Sequence, residues 1–351
     1  AAGNTVVHLH YIQKYDDYLT KAGYEAGHDQ LIVSRDEADA RLAVARACDW
    51  KETAETAQEI QIMENEKEII LTGANYRYVF SKIKGTFSSL ICNQNSLIEK
   101  PMELNIWRAP LDNDRNIRRE WERAGYNRAR IKVYSTSWEK VNDAVVIKAE
   151  YSLAAVALQR ILQGTIIWEV SKSGKITVTV NGERVLLHPR MAKRPLDPMP
   201  FLPRFGLRLY LPKAYKEVTY FGYGPQESYQ DKYRDAYLDL FTATVDEMHE
   251  DYLKPQENGS HWGCSSVNLA TSDGRKVLVS GAEFSFNVSR YTQEELTKKA
   301  HNFELEKSPY TVLCLDGYMS GCGSNSCGPE LFEKYRVNDD KLSMTFTIEI
   351  E

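Results

Sequence analysis

The end of the chain alternates most cleanly. Leu342, Met344, Phe346, Ile348 and Ile350 fall on one face, and Ser343, Thr345, Thr347 and Glu349 on the other. A period of two marks a strand with one buried face. The same alternation runs through TVVHLHYIQ (5–13), HDQLIVS (28–34), KITVTVNG (175–182), LRLYL (207–211) and EVTYF (217–221). YRYVFSKIKGTFSSLIC (76–92) reads as a hairpin turned at Lys84-Gly85. Helical signals are few. Residues 117–124 precede Gly125, a C-cap glycine, and Thr292 with Glu295 forms a capping box before QEELTKKAH.

Many strands and two short helices predict an all-β fold: a large many-stranded sandwich or barrel over residues 56–351. Residues 1–35 hold two strands around a polar loop. Two strands do not make a stable domain, so this stretch reads as the tail of another β domain. Residues 36–55, rich in Ala, Asp, Glu and Arg, read as a linker with room for a short helix. The absence of an initiator Met gives the expectation that the chain is cut from a longer protein or processed.

Composition narrows the function classes. The 351 residues carry 44 Lys+Arg against 49 Asp+Glu, a net charge of −5. That balance predicts no nucleic-acid partner and no anionic membrane partner. No apolar run reaches the roughly 18–20 residues of a membrane-spanning helix. The six cysteines, at 48, 92, 264, 314, 322 and 327, make no Cys-x-x-Cys pair. Scattered, buried and reduced thiols are expected, and Cys314 is one of them.

Three polar clusters stand out. WRAPLDND (107–114) ends a strand on Asp112, Asn113 and Asp114, an acid/base pair or cation site on one reading and an Asx turn on the other. GYGPQESYQDKY (222–233) offers Glu227 and Asp231, as catalytic acids or as parts of a turn packed by Tyr223 and Tyr229. PQENG (255–259) is a similar turn with Glu257 buried and paired. DGYMSGCGSNSCGP (316–329) is a loop rich in glycine and serine that lets backbone approach a ligand. Cys327 lies in it without a His neighbour, against a nucleophilic role.

These motifs, with FNVSRYTQEEL (286–296), LDGYMSGCGSNSCGPEL (315–331) and AGYEAGHDQ (22–30), stand in series along the chain. In that order they resemble the C-terminal portion of bacterial β-galactosidases of glycoside hydrolase family 2. The resemblance implies a galactose-mutarotase-like supersandwich for 56–351 and an immunoglobulin-like tail for 1–35. It implies a retaining enzyme with two catalytic Glu residues on an upstream TIM barrel, so no catalytic residue in this chain. Mg²⁺ and Na⁺ are expected in the missing part, and no cofactor or metal here. Expected partners are the upstream barrel and sandwich domains, a β-galactoside substrate and further copies of the enzyme.

The resemblance also places loop 321–328 at the mouth of the barrel, making Asn325, Ser326 and Cys327 substrate-binding candidates. Asp112, Asn113 and Asn116 are expected nearby. Where the best-known members carry a Trp that stacks on sugar, this sequence has Cys327, which offers no flat apolar face. A stand-alone epimerase of the mutarotase kind is the alternative, and a carbohydrate-binding module another. The epimerase needs a His facing its sugar, but His8, His10, His28, His188, His249, His261 and His301 lie outside the three clusters.

Overall fold

Alternating apolar residues need a second layer to cover them, and the chain supplies it by folding one long sheet over itself. The computed structural model describes residues 3–52, 58–185 and 199–351. In chain order the strands are β1 (Thr5–Ile12) and β2 (Glu25–Ser34), then β3 (Gln61–Glu64), β4 (Glu68–Thr72), β5 (Tyr76–Ser81), β6 (Thr86–Cys92) and β7 (Asn95–Ser96). Next come β8 (Lys100–Asn105), β9 (Arg130–Val141), β10 (Ala144–Ala154), β11 (Arg160–Ser171), β12 (Ile176–Arg184), β13 (Arg204–Pro212) and β14 (Glu217–Gly224). The last are β15 (Tyr237–Thr244), β16 (Ser260–Ala270), β17 (Lys276–Ser289), β18 (Tyr310–Met319) and β19 (Lys341–Ile350). The helices are α1 (Glu37–Ala47), α2 (Ile117–Ala124) and α3 (Gln293–Lys298).

Twelve strands form one antiparallel sheet, in the order β15-β14-β16-β17-β19-β12-β11-β10-β9, with β18, β13 and β8 branching from β17. The branch makes the sandwich. Residues 277–281 of β17 pair with β19, and residues 285–289 pair with β18. A five-stranded sheet, β3 to β7, closes one side. It is held by aromatic contacts: Phe87 meets Trp168 edge-on at 5.2 Å, and Trp168 Nε1 donates to the Gly85 carbonyl at 3.0 Å. The main core runs through both sheets, with Trp121, Trp168, Phe80 and Phe205 fully covered. The all-β sandwich expected from the sequence is the observed architecture.

Local expectations fare well. Gly125 caps α2 with φ +82°. Thr292 caps α3 through the Glu295 N–H, but the Glu295 carboxylate accepts from the Glu306 N–H instead of closing the box. The stretch 36–55 carries more structure than a linker needs. Its helix α1 buries Ala40, Val44 and Ala45, in one cluster with Phe221, Leu238 and Leu278. Arg41 clamps α1 to the last strand through both oxygens of Glu349, at 2.7 and 2.8 Å. Residues 53–55 of that stretch, and His188, lie outside the described residues.

The hairpin β1–β2 is a separate two-stranded sheet. Gln30 ties it to β15 by a reciprocal pair of hydrogen bonds with the Leu238 backbone, at 2.7 and 2.9 Å. Its other face presents Leu9, Leu31 and Val33 to solvent. No helix among the described residues is long and apolar enough to cross a membrane.

Candidate functional site

Strand β8 ends at Asn105, and the chain then turns through Trp107 to Pro110 into a short 3-10 turn, Asp112–Asp114. The turn is built around a buried ion pair. Arg108 is fully covered and grips Asp114 with Nε and Nη2, at 3.0 and 2.8 Å. Asp114 also accepts the Leu111 N–H at 2.9 Å. Such two-pronged pairs fix geometry as well as charge. Asp112 stays exposed, its backbone N–H donating to Gln256 Oε1 at 3.1 Å. The two acids of the motif therefore do not form a catalytic pair: one is a structural anchor and the other a surface group.

The same arginine reaches across to the second loop. Its Nη1 donates to the Ser320 carbonyl and its Nη2 to the Gly321 carbonyl. Asp231 holds the next two residues, accepting the N–H groups of Cys322 and Gly323 at 2.8 Å each. Gly321 is required here, because a Cβ would sit 2.5 Å from the Asp231 carboxyl carbon. Beyond these anchors, Asn113 donates to the Gly323 carbonyl at 2.7 Å and accepts the Ser326 N–H at 3.2 Å. Asn116 donates to Asn325 Oδ1 at 2.6 Å, and Arg115 donates to the Ser326 carbonyl at 3.1 Å.

Asn113, Asn116, Asn325 and Ser326, far apart in sequence, thus form one hydrogen-bonded rim. Asn113, Asn116 and Asn325 line a cavity of about 530 Å³ between α2 and loop 321–328. Cys327 lies at the loop's exposed tip, outside that cavity. Cys314 is buried on β18, where burial pushes its thiol up to about 12. Thiol reagents attack the thiolate, so a maleimide should label Cys327 well before Cys314, as read by peptide mass spectrometry. Equal rates would place the loop tip wrongly.

A second buried network sits behind the rim. Arg204, fully covered, meets Glu257 at 2.8 Å and Asp316 at 3.0 Å. Glu257, expected as buried and paired, also accepts the Ala109 N–H at 3.2 Å. Desolvation pushes the Asp316 carboxyl up to about 7, against the pull of Arg204. Glu227 is committed too: it accepts from Tyr252, from Lys232 at 2.5 Å and from the Gly259 N–H at 2.9 Å. These contacts support the turn reading of the second cluster, although Asp231 turns out to be an anchor for the third. Among the described residues, no three His, Cys, Asp or Glu gather to hold a metal ion.

Sequence reasoning missed Arg108 and Arg204 as the organising cations. The signal was present: FLPRFGLRLYL (201–211) sets Arg204 inside an apolar run, and a buried cation demands carboxylates. His261 is also buried, against Tyr220 and the Tyr223 carbonyl, and desolvation holds it neutral by moving its pKa down to about 4. It faces no open cavity of the rim.

The profile of the family described as Beta galactosidase small chain matches residues 72–350. The chain is 39% identical over 331 residues to a Beta-galactosidase of Actinobacillus pleuropneumoniae, covering 94% of this chain and 30% of that protein. With a Beta-galactosidase of Staphylococcus xylosus the identity is 34% over 345 residues, covering 97% and 32%. The chain thus spans about a third of the length of these relatives. Among solved structures it is similar to a galactose 1-epimerase from Lactobacillus acidophilus NCFM, with a TM-score of 0.40 and 8% identity, covering 85% of this chain and 99% of that one. By its profile match and its relatives, the chain belongs to the β-galactosidase small chain family.

Proposed function

We propose that this chain is the non-catalytic C-terminal part of a retaining β-galactosidase of glycoside hydrolase family 2, releasing terminal β-galactose from substrates such as lactose. The observation that carries the reading is the coverage: nearly the whole chain matches β-galactosidases, yet only about a third of each. The catalytic Glu pair, with Mg²⁺ and Na⁺, then belongs to upstream domains. The exposed apolar face of β1–β2 fits the tail of an immunoglobulin-like domain whose other strands cover Leu9 and Leu31. In the assembled oligomer, loop 321–328 forms a wall of the sugar site. Asn325, Ser326 and Cys327 face the substrate, with Asp112, Asn113 and Asn116 behind or beside them.

Retaining hydrolysis needs two carboxyl groups roughly 5–5.5 Å apart, flanking one glycosidic bond. Two acids at the rim are committed to structure, Asp114 on Arg108 and Asp231 on two backbone N–H groups, and the catalytic pair is assigned to the upstream domains. The purified chain should therefore give no turnover of a chromogenic β-galactoside above blank. Clear turnover by clean protein would overturn the reading.

A further inference from the structure

Away from the rim, the outward-facing side chains of β10, β11, β12 and β19 do not make a plain solvated surface. They surround a cavity of about 690 Å³ lined by Glu150, Arg160, Gln163, Asn181 and Glu183, among others. Tyr318 of β18 lines it as well. The same tyrosine lines a second cavity of about 250 Å³, with Gln230, Trp262, Glu283 and Asp339. One aromatic thus lines two neighbouring hollows, and a second aromatic, Trp262, lines the smaller. The larger hollow alone falls within the roughly 300–1,000 Å³ of small-molecule sites.

The chemistry of the lining selects a ligand class. The carboxylates Glu150, Glu183, Glu283 and Asp339 are matched by the cations Arg160, Lys334, Arg336 and Lys341. A balanced lining gives no net attraction to phosphates or nucleic acid. It suits a neutral molecule dense in hydroxyls, each able to donate to a carboxylate and accept from a cation or amide. Tyr318 and Trp262 add flat apolar faces for the C–H side of a sugar ring. The indole is not sandwiched by its own neighbours. Its centroid lies 5.0 Å from that of Tyr223 and 4.9 Å from that of Tyr233, and those two are 5.3 Å apart. Three such distances make a triangle, so the two tyrosines do not flank the indole on opposite faces.

The polar groups are also held in place. Ser343 donates to Asn181 at 2.9 Å, Arg160 to Gln163 at 3.1 Å, and Tyr134 meets Ser152 at 3.0 Å. Tyr318 itself donates to the Ser343 carbonyl at 3.2 Å. Side chains already fixed lose less entropy on binding.

We propose that this double cleft, with Tyr318 lining both parts and Trp262 lining the smaller, is a second saccharide-binding site, for neutral oligosaccharides and distinct from loop 321–328. It does not depend on the assignment of that loop. The test is titration of the 351-residue chain with a β-1,4-linked galactotriose, followed by Trp fluorescence and saturation-transfer NMR. Saturable binding is expected. Tyr318→Ala should weaken it about three- to tenfold, the range expected for loss of one aromatic face. Arg160→Ala, on an exposed side chain that leaves the core intact, should weaken it without changing the melting temperature. Asn325→Ala, in the other loop, should leave it unchanged. Absence of saturable binding overturns the proposal, as does binding that ignores both Tyr318→Ala and Arg160→Ala. Binding lost only in Asn325→Ala would put the sugar at the rim, and equal competition by inorganic phosphate would overturn the ligand class.

Discussion

Arg204→Met should cost the fold about 3–5 kcal/mol, the usual penalty for removing one partner of a buried ion pair. The methionine fills a similar volume, so the loss is electrostatic. Glu257 and Asp316, both within 3.0 Å of the guanidinium, would be left as two buried carboxyls without a cation. The network already holds one positive charge against two acids. Desolvation first, and then the charge of Glu257 beside it, raise Asp316 to about 7 against the pull of Arg204. The sign of the pH effect follows. An acid whose folded pKa lies above its unfolded value of roughly 3.9 binds more protons when folded. Its contribution to stability therefore falls as pH rises from about 4 to about 7, and is level above that. Asp316→Asn should flatten this part of the profile and raise stability at pH 8. Arg204→Met should be worse at pH 8 than at pH 5, because protonation can relieve its carboxyls only at low pH. Urea unfolding of the three proteins at both pH values, followed by Trp fluorescence, decides it. A penalty for Arg204→Met below about 1 kcal/mol at pH 8 would show that the pairing carries no weight.

What the sequence made legible follows from the range of each signal. Strand alternation and helix caps are written within a few residues, so β19, the hairpin turned before Thr86 and the Gly125 cap of α2 could all be read directly. Helix α1 shows the limit. Its buried positions include only one residue larger than alanine, Val44, so its apolar stripe is faint although it packs on the large sheet. The rim was legible as a set of motifs but not as a mechanism of assembly. Arg204 finds Glu257 53 residues away, and Arg108 finds the Ser320 carbonyl 212 residues away. No local period encodes such pairs. The division of labour between Asp112 and Asp114 was hidden for the same reason: it depends on which of them the buried arginine reaches.

Arg108→Met should be the most damaging change at the rim, again by about 3–5 kcal/mol, and its effect should be visible in the loop. Arg108 donates to Asp114 twice and to the Ser320 and Gly321 carbonyls, all in a region closed to water. It also lies over the Trp121 ring, 5.5 Å from its centroid. The variant leaves a buried carboxylate without its cation, held only by the Leu111 N–H, and two buried carbonyls unpaired, and each lost partner carries its own desolvation cost. Arg108→Lys should recover only part of the loss, because an ammonium cannot make the two-pronged bond to Asp114 while reaching both carbonyls. Arg108→Met combined with Asp114→Asn should be more stable than Arg108→Met alone, since the stranded charge is gone. Cys322 is the reporter for the loop. Its N–H is held by Asp231; it is half-buried on the cavity wall, and desolvation raises its thiol above the usual range, so it should alkylate slowly in the native protein. Once Arg108 no longer anchors Ser320 and Gly321, Cys322 should alkylate faster under conditions where Cys314 still does not. Unchanged stability in Arg108→Met would show that the buried pair does not hold the turn. Lost stability with Cys322 still protected would show that Asp231 alone fixes the loop.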